Sequence, residues 1–359
     1  MGDKNEVVVI GGGILGIALS YHLAKQKKSV LLLEKEPQIG LHSSGNNAGM
    51  IRHLSHHPQL IEWAKASIQL YPEYLKKNFF LQSGSIIAGF NTKPDNDPHF
   101  QNKEVHLPTP EGRKLTDAIF TADDGIVRPK EFLQALFDCI DKDYFTINYN
   151  EKVEALTKVN DNWLIQTANG KTYNSEVVVN AAGAWFDKLL PERRAFEKKI
   201  YARHVHKTAN LFNDFKDLPN VGFIWDEENK WYLKQSETNT NFFCACERIL
   251  ENNIEDYSPK IETEAQAKLK FDSLFNNRLY NTSNTNYTLN NSWYCFRTFV
   301  KDELPIIGED PYFKGLYYLT AFGGFGMSTS IAAAYDVAKI LSGQNVNAEK
   351  YFSLQRFSC

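Results

Sequence analysis

Residues 6–34 read EVVVIGGGILGIALSYHLAKQKKSVLLLE, and this stretch decides the fold. Val7, Val8, Val9 and Ile10 form a short run of β-branched residues, the composition of a buried parallel strand. Three glycines follow at once and complete the spacing G-x-G-x-x-G at Gly11, Gly13 and Gly16. A helical pattern from Ile17 to about Lys27 leads to a second apolar strand, Ser29 to Leu33, which ends on Glu34. Each residue type has a physical task. Gly11 permits the tight turn, Gly13 lets backbone approach a pyrophosphate, and Gly16 lets helix pack on strand. The helix N-terminus offers free N–H groups and a positive dipole end to phosphate. Glu34 can accept hydrogen bonds from ribose hydroxyls. Strand, glycines, helix, strand and acid in order define a dinucleotide-binding unit. They do not choose between FAD and NAD.

Working outward, residues 40–49 (GLHSSGNNAG) are small and polar, which suits a loop passing close to a ligand. Residues 177–185 (VVVNAAGAW) form another apolar strand that ends in small residues. Residues 316–327 (LYYLTAFGGFGM) repeat the strand–glycine plan, and residues 328–341 follow as a helix. Helices are also expected over residues 61–74, 130–140 and 262–275. Strands are expected over 79–90, 144–156, 163–167 and 176–180. Residues 196–246 alternate apolar and polar positions, as in WYLK and NFFCAC, which predicts an antiparallel sheet. Residues 91–110 and 276–291 are polar, Asn-rich connections. The fold class is therefore α/β, a Rossmann-type nucleotide domain with an inserted antiparallel β-sheet substrate domain. The expected division is 1–78, 121–197 and 303–359 for the nucleotide domain. Residues 79–120 and 198–302 form the substrate domain.

The chain has 359 residues, 43% hydrophobic and 23% charged, which is ordinary globular usage. A net charge of -3, spread along the chain, argues against a nucleic-acid partner. No stretch is long and apolar enough for a transmembrane helix, and the first apolar run lacks a cleavage-site pattern. A soluble, cytoplasmic protein is expected. Its five cysteines, Cys139, Cys244, Cys246, Cys295 and Cys359, include no CxxC pair, so neither a zinc site nor a disulfide framework is expected. Cys244 and Cys246 are expected on one face of a strand as buried thiols. His53, His56 and His57 are read as loop histidines, with no metal.

Taken together, Gly11 to Gly16 with Glu34, His42-Ser43-Ser44-Gly45, residues 179–185, Arg297-Thr298 with residues 302–308, and Gly323 to Gly326 resemble the D-amino acid oxidase-like FAD oxidoreductases. Glycine oxidase, sarcosine oxidase and bacterial D-amino acid dehydrogenases belong to that family. Within it the chain looks most like the D-arginine-type dehydrogenases, over nearly its whole length and with a GR2-like FAD-binding domain. The resemblance implies FAD bound in an extended form. Gly11, Gly13 and Gly16, with Ile14 and Leu15, would meet the pyrophosphate. Glu34 and Lys35 would meet the adenosine end, and Val153 the adenine through its backbone. Ser43, Ser44, Asn47, Ala48 and Gly49 would border the flavin, and Ala182, Gly183 and Trp185 would line the FAD. The turn of Gly323, Gly324, Phe325, Gly326 and Met327 would face the flavin's pyrimidine end.

The same resemblance places Arg297 and Arg203 as a clamp for a substrate carboxylate, the contact arginine makes bidentately. Tyr232 would cover the substrate and Gly324 would border the reacting centre. The implied reaction removes a hydride from the α-carbon of a D- or N-substituted amino acid and releases an imine that hydrolyses to a 2-oxo acid. Oxygen or a quinone-type acceptor would reoxidise the flavin. A 2-hydroxy acid oxidoreductase and a non-catalytic flavin subunit are the alternatives on this scaffold. Two departures matter. Met50 and Ser55 replace the histidine and tyrosine of the D-arginine-type loop, and Arg52 adds a cation. If Arg52 faces the site, it disfavours a basic substrate and favours an acidic or neutral one. Cys295 stands seven residues before Asp302, the spacing at which sarcosine oxidases tether flavin. The D-arginine-type relatives carry a small residue there and hold FAD without a bond, so both states stay open.

Overall fold

The computed structural model describes residues 6–90, 97–107, 113–190, 197–212, 221–236, 240–246, 249–250, 254–255, 261–275 and 292–357. The connection expected at 276–291, parts of that at 91–110, and Cys359 lie outside them.

A six-stranded sheet organises the nucleotide half. Val7–Ile10 lies at its centre, flanked in parallel by Val30–Leu33 and Val177–Asn180. Phe145–Asn148 extends one side, and Leu316–Thr320 then Ile306–Glu309 the other. Ile306–Glu309 alone runs antiparallel. The central strands are buried on both faces, which is why they read as unbroken apolar runs rather than alternating ones. Helices Ile14–Lys25, Pro58–Leu70 and Gly326–Ile340 cover one face. The antiparallel meander of Val153–Val159, Asn162–Thr167 and Thr172–Ser175 lies toward the other. A second sheet, nine-stranded among the described residues, draws its strands from residues 85–121 and 198–300. It is antiparallel except where Phe223–Asp226 runs parallel to Ser85–Ala88. Strand Lys198–Ala209 pairs first with Trp293–Val300 and then with Thr240–Cys244, joining distant pieces of chain. Among the described residues, no helix is long and apolar enough to cross a membrane.

Two local expectations need correction. The single helix expected over 61–74 is two helices, Pro58–Leu70 and Glu73–Phe79. Pro72 forces the preceding residue out of the helical region, and Tyr71 is extended at φ -56, ψ 134. Cys244 and Cys246 do not share a strand face. The strand ends at Cys244, and Cys246 takes a left-handed backbone, φ +49, beyond it. Both thiols are nonetheless buried, with sulfurs 4.0 Å apart and no disulfide.

Helices Ile14–Lys25 and Gly326–Ile340 meet through a buried histidine. His22 Nε2 lies 3.0 Å from the carbonyl of Ile331, which only an N–H can satisfy. Burial, with the charge of Lys25, pushes the imidazole down to about 4. The unfolded chain therefore binds the proton that the folded chain refuses between about 6.5 and about 4. Stability should be complete above pH 6.5 and fall by on the order of 3 kcal/mol as pH drops through that window. Denaturant unfolding at pH 7 and pH 4.5 measures this. His22→Gln, which keeps a donor but cannot titrate, should flatten the slope.

Candidate active site

A groove made of adjoining cavities that share lining residues lies at the carboxyl ends of the central strands, the position ligands occupy in doubly wound sheets. Its first part is lined by Gly11, Gly13, Ile14, Leu15, Glu34, Lys35, Ser43, Ser44, Val153, Ala182, Gly183 and Trp185. Gly11 is held at φ +110, and a Cβ there would lie 2.6 Å from the Ala181 oxygen. Gly13 caps the helix with extended backbone. Gly16 does not line the groove. A Cβ at Gly16 would lie 2.0 Å from the Gly11 oxygen, so this glycine serves helix–strand packing. Glu34 is buried, and burial raises its carboxyl above the usual range. Its oxygens accept the N–H groups of Gly12 at 2.5 Å and Glu36 at 2.9 Å. That fixes the carboxylate across the glycine turn. Lys35 stacks on Trp185 at 3.7 Å from the ring centre, and the Trp185 indole N–H donates to Glu255.

The polar loop at 40–49 is a built element. Ser44 Oγ accepts the Ile14 N–H at 2.9 Å, at the start of the glycine helix. Ser43 Oγ accepts the Phe296 N–H at 3.1 Å, and the Trp293 indole donates to the Asn46 carbonyl. The loop thus fastens the six-stranded half to the second sheet. Asn47 turns it, accepting the Gly49 N–H and donating to the Ser43 and Ser44 carbonyls.

Beyond it the groove is lined by Asn47, Ala48 and Gly49 and by Gly323, Gly324, Gly326 and Met327. Tyr232, Cys295, Arg297 and Arg52 line the same space. Gly323 and Gly324 are both left-handed, at φ +59 and φ +134. A Cβ on Gly324 would lie 3.1 Å from the Arg297 guanidinium carbon, so glycine leaves room for that side chain. Gly183, at φ +56, has nothing within 4 Å of where a Cβ would sit and faces open groove. A turn of bare glycine backbone, a donor-bearing helix end and a glycine-lined cavity beyond it suit FAD.

The outermost part is lined by Arg52, Arg203, Phe325, Trp225, Glu227 and Arg297, among others. Arg297 sits in strand Trp293–Val300, opposite Tyr201, and Arg203 in the neighbouring strand, opposite Cys295. Tyr232 is buried opposite Trp225, and burial pushes its hydroxyl well above the usual range. Among the described residues the Arg297 guanidinium has no hydrogen bond or ion pair; the Trp225 ring lies 5.5 Å away, and the neighbouring Cys246, Cys295 and Tyr232 favour its charge against the cost of burial. The acids nearby are committed: Glu227 to Lys230 at 2.6 Å, Asp302 to Arg356 at 2.6 Å.

The three histidines part company. His56 stacks on Phe90, and His57 accepts the Gln59 N–H as a helix cap. His53 is buried against Asp124, which sequence reading missed. Asp124 accepts the His53 backbone N–H at 2.9 Å, the His53 ring at 2.5 Å and the Ser85 hydroxyl at 2.5 Å. Nothing local to residue 124 signals this, because both partners are distant in sequence. Trp225 was missed too. Its signal was the alternation of Phe223 and Trp225 in a strand paired with the one carrying Tyr232. Asp124→Asn would set an amide N–H₂ among three donors. It should cost about 3 kcal/mol of stability, read by urea denaturation, and loosen the loop carrying Arg52.

Residues 6–340 match the profile of the FAD dependent oxidoreductase (DAO) family, and the chain belongs to that family, whose cofactor is FAD. It is similar to monomeric sarcosine oxidase of Bacillus sp. (strain NS-129), 27% identical with 99% of this chain and 98% of that protein covered. It is also similar to mitochondrial dimethylglycine dehydrogenase of Homo sapiens, 26% identical over 264 residues. That match takes in 67% of this chain but 30% of the human protein, so the chain spans under a third of this relative. In fold it superposes on glycine oxidase from Geobacillus kaustophilus with a TM-score of 0.78 at 19% identity, covering 98% of this chain and 99% of that one.

Proposed function

We propose that this chain oxidises a D- or N-substituted amino acid at the carbon bearing nitrogen. The observation that carries the reading is Arg297, a cation with no protein partner among the described residues. It faces the same slot as the glycines that would frame the cofactor. A carboxylate is the natural counter-charge, and a guanidinium fork fixes its plane as well as its position.

FAD, when bound, supplies the acceptor for a hydride leaving the substrate α-carbon. Gly11, Gly13, Ile14 and Leu15 would take its pyrophosphate and Glu34 its adenosine ribose. Ser43, Ser44 and residues 47–49 would border the ring system. The protein's own work is orientation. Arg297, with Arg203 beyond it, sets the carboxylate, and Gly324 leaves clear the space beside the guanidinium. Tyr232, neutral because it is buried, closes the side against water. The substrate nitrogen loses its proton as the C=N bond forms. Water then adds to the imine and releases the 2-oxo acid and the amine.

Anaerobic titration tests this directly. The purified protein should show a flavin band that one class among D-amino acids, N-methyl amino acids and 2-hydroxy acids bleaches. Bleaching by an amino acid supports the reading, and bleaching by 2-hydroxy acids alone overturns it. Admitting air afterwards shows whether oxygen accepts the electrons.

A further inference from the structure

Arg52 is 8% exposed, yet it lines both the slot and the outer cavity. Its guanidinium is stacked between two rings, 4.0 Å from the centre of Trp225 and 3.8 Å from that of Phe325. Stacking covers the faces and leaves the edge, where all five N–H donors lie. Among the described residues that edge makes one hydrogen bond, from Nη1 to the Leu54 carbonyl at 3.4 Å. No carboxylate pairs with it there. Asp124 is occupied by His53 and Ser85, and Glu227 by Lys230.

Arg297 is the second cation of the same space, 5.5 Å from the centre of the same Trp225 ring. Two guanidiniums packed on one indole, neither in an ion pair among the described residues and opposed only by the more distant charges of Glu227 and Asp124, are costly unless a bound anion neutralises them. Burial, then the charge of Arg297, pushes Arg52 down to about 9, so it remains a cation at neutral pH. One α-carboxylate satisfies one of the two arginines.

We propose that the substrate is an amino dicarboxylate. Arg297 holds its α-carboxylate, and Arg52 holds a second carboxylate carried on the side chain or on the nitrogen substituent. The inference rests on the reading of Arg297 given above and names the substrate class for the same site. The two rings fix Arg52 and limit its reach, so it selects for the length of the dicarboxylate rather than merely attracting anions. A basic amino acid would bring its cation to Arg52 and is excluded.

Redox-inert acids test the inference without turnover. Malonate, succinate and glutarate are titrated into the holoenzyme by calorimetry, beside acetate, propionate and butyrate. The best dicarboxylate should bind at least about tenfold more tightly than the monocarboxylate of equal length. Arg52→Gln should abolish that preference and leave monocarboxylate affinity within about twofold, whereas Arg297→Gln should weaken both series. Equal affinity in the wild-type protein overturns the proposal, as does a preference that survives Arg52→Gln. Should Arg52→Gln fail to fold, Arg52→Lys keeps the charge without the fork and should still lose most of the preference. Anaerobic bleaching separates the two readings. Faster bleaching by neutral amino acids than by dicarboxylic ones overturns the second anion and leaves amino acid oxidation standing. Arg52-dependent dicarboxylate binding with no bleaching by any amino acid does the reverse.

Discussion

Arg297→Ala is expected to fold, retain flavin and lose about 10³-fold in kcat/KM for the amino acid substrate, with Arg297→Lys falling between the two. The size follows from what the residue supplies. A bidentate clamp fixes the carboxylate in position and plane, and the α-hydrogen is then delivered within reach of the acceptor. A lysine restores the charge but not the plane. A structural role makes the opposite forecast for stability. If Arg297 held the sheet together through an ion pair, its removal would strand a partner and lower the melting temperature. Among the described residues it has no such partner, and its charge works against buried Arg52. Removing it should leave the melting temperature unchanged or raise it slightly, while Arg52 becomes easier to protonate. Near-wild-type turnover by Arg297→Ala would sink the clamp, and a large loss of stability would return Arg297 to the sheet.

How much of this could be read from sequence depended on distance along the chain. The glycine turn, its flanking strands and Glu34 lie within 29 residues, and each obeys a local rule, so the nucleotide half was legible. Even there the carboxylate of Glu34 turned out to brace the Gly12 and Glu36 amides, a detail no spacing encodes. The break at Pro72 was legible in principle and was lost because an apolar periodicity spans it. The surroundings of Arg52 and Asp124 were another matter. Arg52 could be noticed as a departure, but whether it faced the site depended on Trp225 and Phe325. Those rings lie 173 and 273 residues away and meet it only through the second sheet and the glycine turn. Asp124 carries no local signature at all, since its significance comes from His53 and Ser85. Strand pairing and burial, rather than residue type, bring these groups together.

The second large effect separates cofactor binding from folding within one glycine triplet. Gly13→Val should yield a folded protein without flavin. Gly13 has φ -78, which any residue adopts, and a Cβ there meets only the Ser44 hydroxyl, at 3.0 Å. The branched side chain would fill the groove between the turn and the polar loop, where the pyrophosphate needs bare backbone. Gly11→Ala should instead damage the fold. Its φ of +110 disfavours any side chain, and the new Cβ would press on the Ala181 backbone oxygen at 2.6 Å. Gly16→Ala is worse placed still, 2.0 Å from the Gly11 oxygen, and should cost several kcal/mol, about the upper end of single-residue effects. The measurement pairs flavin absorbance per mole of protein with the far-ultraviolet melting curve. Gly13→Val should lose the flavin band while keeping the melting transition of flavin-stripped wild type, and Gly11→Ala and Gly16→Ala should melt earlier even after stripping. A Gly13→Val protein that retains stoichiometric flavin would show that the pyrophosphate does not approach this turn. The cofactor would then have to enter the groove by another route than the one the glycine spacing defines.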